Sequence, residues 1–130
     1  AAAGLIAKGE VQLVIVGADR IARNGDFANK VGTYRLALAC AANRVPFYVA
    51  APVSTFDMQL PDGRSIPIEE RDAKEVTSFA GHPVTPPGVG ARNLAFDVTP
   101  TRLVSGIVTD VGILRGPLTP AIKTAMADSR

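Results

Sequence analysis

The run Val11-Gln12-Leu13-Val14-Ile15-Val16 stops at Gly17 and gives way at once to Ala18-Asp19-Arg20. A stretch this apolar, without polar alternation, suits a strand covered on both faces, as in a parallel sheet. We expect that strand over Gln12 to Val16. Residues 29–43 are rich in alanine and leucine, and their spacing predicts a helix with Leu36, Ala37, Cys40 and Ala41 on one face. Pro46 ends it, and Phe47-Tyr48-Val49-Ala50-Ala51 reads as a second buried strand. Strand, helix and strand in this order imply a parallel crossover, right-handed by the usual rule, and therefore an α/β fold. In open sheets of this class ligands bind just beyond the carboxyl ends of the strands, which places Asp19 at a candidate site.

The rest of the chain is less regular. Residues 2–8 read as a short helix closed by Gly9. A brief helical turn is expected at Ser54 to Asp57, a turn at Pro61-Asp62-Gly63, and a small hairpin with arms 58–60 and 65–68. Pro67 confines the second arm to an edge. Residues 71–92 carry prolines and glycines but few large apolar groups, and a loop of that length is more often functional or interfacial than idle. Thr99-Pro100 resembles a helix cap, and the spacing of Leu103, Val104, Ile107, Val108 and Val111 predicts a helix up to Gly112, with a strand as the competing reading. Thr119-Pro120 repeats the cap ahead of a last helix over 121–128.

With 130 residues and 47% hydrophobic composition, the chain suffices for one domain with a core. Its net charge of +2 is spread without blocks, which gives no footprint for nucleic acid. A single cysteine excludes an internal disulfide and fits a reducing compartment. No apolar run is long enough to span a membrane, so a soluble, cytoplasmic protein is expected.

Asp19 is the candidate general acid or base, because a carboxyl partly covered by a ligand gains proton affinity. Its alternative role is an ion pair with Arg20. Asn29 and Lys30 fall where the second helix is expected to start, where free amides and the helix dipole favour an anion such as phosphate. Asp26 is placed second to these, as a cap or loop-ordering group. Cys40 lies on an apolar face and reads as a core thiol. His82 has no metal-ligand spacing and reads as surface. Asp57, Glu69, Glu70 and Arg71 have no evident chemical task beyond ordering the long loop.

Several ordered motifs carry a resemblance: Gly17-Ala18-Asp19-Arg20-Ile21, Asn24-Gly25-Asp26, Ala28-Asn29-Lys30, Gly32-Thr33-Tyr34, Pro46 to Pro52 with Ser54-Thr55-Phe56-Asp57, Ile66 to Arg71, and Asn93 with Ala95 to Pro100. Together they resemble the C-terminal part of the methylthioribose-1-phosphate isomerases, whose wider family also holds ribose-1,5-bisphosphate isomerase and regulatory subunits of the translation-initiation exchange factor. The resemblance implies a Rossmann-like three-layer domain with a mostly parallel sheet. It implies an aldose-ketose isomerase of methionine salvage, with Asp19 catalytic and Asn29 and Lys30 binding a phosphorylated sugar. It further implies no metal or redox cofactor, a homodimer, and an N-terminal domain with no counterpart here, so that this chain alone is expected to be inactive. Cys40 does not match the family's catalytic cysteine, which lies upstream in a motif of its own. Arg92 and Leu94 depart from the Trp and Pro common around Asn93.

Overall fold

The computed structural model describes residues 1–129. Helix α1 (Ala2–Ala7) leads through Gly9, in a left-handed conformation at φ 76°, towards strand β1 (Val14–Val16). Strands β2 (Arg20–Ala22) and β3 (Phe27–Lys30) form an antiparallel pair before helix α2 (Thr33–Ala42), which returns the chain to strand β4 (Phe47–Ala50). Strand β5 (Phe56–Asp57) follows a 3-10 turn at Val53–Thr55, so of the helical turn expected at Ser54 to Asp57 only the first two residues are helical and the last two pair as a strand. The excursion beyond it holds a 3-10 turn at Gly63–Ser65, helix α3 (Lys74–Thr77), and a hairpin of β6 (Ser78–Phe79) and β7 (His82–Pro83). Strands β8 (Phe96–Thr99), β9 (Gly106–Thr109) and β10 (Gly112–Leu114) precede helix α4 (Leu118–Asp128).

The first sheet runs β1-β4-β9-β10, with β1, β4 and β9 parallel and β10 antiparallel at the edge. The expected α/β class and mostly parallel sheet are both present. A second sheet, β5-β2-β3-β8, is largely antiparallel and was not foreseen.

The apolar strands explain the core. Phe47, Val49 and Ile107 are almost completely buried, in one cluster with Ile6 of α1, Ala37 and Cys40 of α2, and Leu118 and Ile122 of α4. Phe27 of the second sheet stacks on Phe47 with ring centroids 6.3 Å apart, which joins the two sheets. Each of the large aliphatic and aromatic side chains in this cluster contributes about 1.5–3 kcal/mol by leaving water. On the other face of the first sheet Ile15 and Ile113 stay 57% and 55% exposed, so that face is only partly covered.

Four sequence expectations are corrected. Residues 29 and 30 end a strand rather than start a helix, because β3 pairs along its whole length with β8. The helix expected after Thr99 is a 3-10 turn at Thr101–Leu103 followed by β9: Pro100 is extended at ψ 146°, and the β-branched run Ile107-Val108-Thr109 lines up beside Val49 and Ala50. No hairpin joins 58–60 to 65–68, since a 3-10 turn intervenes and Glu70 bridges to Leu94 instead. At the last helix Pro117, not Thr119, is the cap position, and Thr119-Pro120 lies in the first turn, where proline's missing N–H leaves no bond unmade.

Helix α2 stops by backbone geometry. Val45 N–H reaches Cys40 O at 2.9 Å and Arg44 N–H reaches Ala41 O at 3.4 Å, with Arg44 in the left-handed region at φ 58°. This is the Schellman arrangement with arginine where glycine is usual.

Candidate functional site

The parallel strands deliver their carboxyl ends to one edge. There Gly17 and Ala18 follow β1, Pro52 follows β4, and Asp110 follows β9 and accepts a hydrogen bond from Val53 N at 2.9 Å. Asp19 stands at this edge with an exposed side chain. Its amide donates to Ala28 O at 2.8 Å, although Arg20 is the residue that pairs with Ala28. Two residues thus face one, a bulge-like feature of the kind that re-aims side chains at strand ends. Among the described residues Asp19 takes part in no ion pair, and Arg20 pairs instead with Asp57, N to O 3.9 Å. The Asp19–Arg20 pair considered from sequence is therefore not formed.

An open cleft of about 490 Å³ lies beside Asp19, lined also by Arg20, Ser54, Thr55, Asp57 and Gln59. Backbone amides make the hydrogen bonds here, Val53 N to Asp110 and Gln59 N to Asp57 Oδ1 at 3.1 Å. The hydroxyls of Ser54 and Thr55 and the carboxamide of Gln59 are uncommitted among the described residues.

Asn29 and Lys30 lie on β3, one and two residues past the carbonyl that Asp19 holds. They do not line the Asp19 cleft. Asn29 Nδ2 donates to Thr33 Oγ1 at 3.1 Å, and Thr33 Oγ1 donates to Lys30 O at 2.6 Å. The amides at the start of α2 are already engaged: Gly32 N–H and Tyr34 N–H donate to Asp97 Oδ2 at 2.8 and 3.2 Å. The anion seat expected on the helix terminus is thus occupied by the protein's own carboxylate, which satisfies the dipole as a ligand would. Lys30 itself is exposed, and its charge helps hold Glu75 below the usual carboxylate range, after the hydrogen bonds from Arg71 and Asn93.

Asp26, placed second from sequence, is a fastening. Its Oδ1 accepts from Thr101 N at 2.7 Å, and its Oδ2 accepts from Gly63 N at 2.9 Å and from Asn24 Nδ2 at 3.0 Å. Gly63 has to be glycine there, since a Cβ would sit 2.6 Å from Val98 Cγ1. Gly25 combines φ 96° with a Cβ position 2.6 Å from Thr101 Oγ1, so any side chain would be strained and crowded.

The long excursion is clamped at its base. Arg71 N donates to Asn93 O at 2.7 Å, Arg71 pairs with Glu75 at 2.9 Å, and Arg92 pairs with Glu70 at 2.6 Å. The Arg92 hydrogen bond holds Glu70 below the usual carboxylate range. These contacts give Glu70 and Arg71 the ordering role that sequence suggested. Asp57 belongs instead to the cleft.

Cys40 is fully buried, and burial pushes its thiol up, in keeping with a core residue. His82 is exposed on β7. Among the described residues no group of three or more His, Cys, Asp or Glu could hold a metal ion, and no helix is long and apolar enough to cross a membrane. Asp97 and the Ser54–Gln59 wall were missed from sequence. The Asp97 contacts span 65 and 63 residues, beyond the reach of local spacing.

The geometry has counterparts among known proteins. A methylthioribose-1-phosphate isomerase of Pelotomaculum thermopropionicum is 61% identical over 113 residues, 87% of this chain and 31% of that protein. One of Nitratidesulfovibrio vulgaris is 58% identical over 93% of this chain and 35% of its own length. The crystal structure of 5-methylthioribose 1-phosphate isomerase from Pyrococcus horikoshii superposes with a TM-score of 0.89 at 44% identity, covering 97% of this chain and 35% of that one. The translation initiation factor eIF-2B subunit delta from A. fulgidus gives 0.82 at 36% identity, over 94% of this chain and 36% of that one. The chain therefore spans about a third of the length of these relatives. Residues 1–116 match the initiation factor 2 subunit family, and the chain belongs to that family.

Proposed function

We propose that this chain carries the acid-base half of an aldose-ketose isomerase that converts 5-methylthioribose 1-phosphate to 5-methylthioribulose 1-phosphate in methionine salvage. The observation that supports this most is the Asp19 carboxylate, exposed at the sheet edge, outside any ion pair among the described residues and beside a polar cleft. Phosphate blocks the anomeric carbon of this substrate, so the ring opens only if a proton reaches the ring oxygen. A carboxyl group partly covered by the sugar suits that donation. Hydrogen then moves from C2 to C1, which converts the aldose to the ketose without net oxidation. Lys30 serves as the cation for the phosphate, and Asn29, held by Thr33, orients beside it. Turnover requires segments that the longer relatives possess and this chain does not span, and the working unit is a cytoplasmic homodimer.

A second reading is a non-catalytic subunit, supported by the likeness to the eIF-2B subunit delta structure. Ribose-1,5-bisphosphate isomerase is a third, but a second phosphate needs another cationic seat, and the Asp19 cleft holds two carboxylates with Arg20. The readings separate in one experiment, in which this chain replaces the matching 113 residues of the Pelotomaculum thermopropionicum isomerase. Turnover of methylthioribose 1-phosphate that falls by about 10²–10⁴-fold in Asp19→Asn is expected. A folded chimera without turnover, or one indifferent to Asp19, would support the subunit reading. Turnover of ribose 1,5-bisphosphate in preference would support the third.

A further inference from the structure

The cleft beside Asp19 has a charge pattern that selects its occupant. Asp19 and Asp57 bring two carboxylates and Arg20 one guanidinium, so the cleft is net negative and disfavours a phosphate dianion. Its uncommitted groups, the Ser54 and Thr55 hydroxyls and the Gln59 carboxamide, together with the carboxylates, both accept and donate hydrogen bonds. That is the complement of neighbouring sugar hydroxyls.

The walls are fixed by backbone pairing. β2 lies parallel to β5, with Ile21 beside Phe56 and Ala22 beside Asp57, and both Ile21 and Phe56 are buried. Asp57, beside Ala22, is thereby held on a paired strand two residues along from Arg20, and the pair stays loose at 3.9 Å with side chains 42% and 37% exposed. An exposed pair so far apart contributes little to stability. Its arrangement leaves the Arg20 donors and one Asp57 oxygen open to a ligand, while the other Asp57 oxygen accepts from Gln59 N.

We infer that this cleft binds the vicinal hydroxyls of the sugar chain, with Asp57 and Ser54 as specificity-determining contacts, while the phosphate lies outside it towards Lys30. The inference rests on the proposed sugar-phosphate reading and adds to it a second binding wall. Asp57→Asn preserves the acceptor for Gln59 N, and the Ser54 hydroxyl has no partner among the described residues, so neither variant has a reason to unfold.

The test is a titration of the ¹⁵N-labelled chain, followed by amide shifts, with ribose 1-phosphate, 2-deoxyribose 1-phosphate and inorganic phosphate. Asp57→Asn is expected to weaken ribose 1-phosphate binding about tenfold, the size of one charge-assisted hydrogen bond, and to leave phosphate binding unchanged. Ser54→Ala weakens it less, and 2-deoxyribose 1-phosphate binds wild type and Asp57→Asn more nearly alike. Ribose 1-phosphate binding that is untouched by both substitutions, or phosphate binding that weakens equally, overturns the inference and leaves the sugar-phosphate reading standing. Absence of ribose 1-phosphate binding to the wild-type chain overturns the cleft as a sugar site, and the chimera assay then decides the activity alone.

Discussion

The two ends of the candidate site are organised in opposite ways. Around Lys30 the polar groups hold one another: Asn29 bonds Thr33, Thr33 bonds the backbone of Lys30, and Asp97 closes the start of α2. Around Asp19 the Ser54 and Thr55 hydroxyls and the Gln59 carboxamide are uncommitted among the described residues, and backbone amides bond the Asp57 and Asp110 carboxylates. A polar residue near a strand end is thus not enough to mark a binding group. What separates Asp19 from Asp26 and Asp97 is free hydrogen-bonding capacity among the described residues, since the carboxylates of the other two each accept from at least two amides.

Substitutions at the committed carboxylates test that contrast most severely. Asp26→Ala strands the amides of Gly63 and Thr101, and we expect a loss of about 3 kcal/mol in urea unfolding. A loss no larger than that of Asp19→Ala would erase the distinction. Asp97→Ala uncovers the first amides of α2 and should cost about 2 kcal/mol. It also opens the helix terminus to anions, so inorganic phosphate should stabilise this variant more than it stabilises wild type.

The smallest effect concerns pH. The hydrogen bond from Arg71 lowers Glu75, and that from Arg92 lowers Glu70. A carboxylate with a lowered folded pKa stabilises the fold above its unfolded value, and the stabilisation is lost as pH falls through the folded value. Amide protection at Arg71 and Ala95, corrected for intrinsic exchange, should hold from neutrality through the ordinary glutamate range and fall only at pH below it. Protection at Asn43 and Val45, which no such pair supports, should fall less.

The β1-α2-β4 crossover was legible because its strands are continuous apolar runs and its helix has a one-sided face. The second sheet was not. Phe27 to Lys30 carry no distinctive alternation, and they become a strand only by pairing with Thr99 to Phe96. Likewise Leu103, Val104, Ile107 and Val108 satisfy helical spacing and strand composition at once, and the neighbouring β4 decides between them. Asp19 could be singled out because its setting is local, a glycine-ended strand. The roles of Asp26 and Asp97 depend on partners far along the chain, and no local spacing encodes them.

The reach of Asp26 bears on how quickly the molecule can assemble. Its carboxylate joins residues 37 and 75 positions further along the chain, so the knot closes only after both long segments have been brought back. Such closure costs chain entropy before it returns any bond, and proteins rich in distant pairings fold slowly for that reason. The fastening of the β2–β3 turn is therefore completed only after Gly63 and Thr101 have both returned to it.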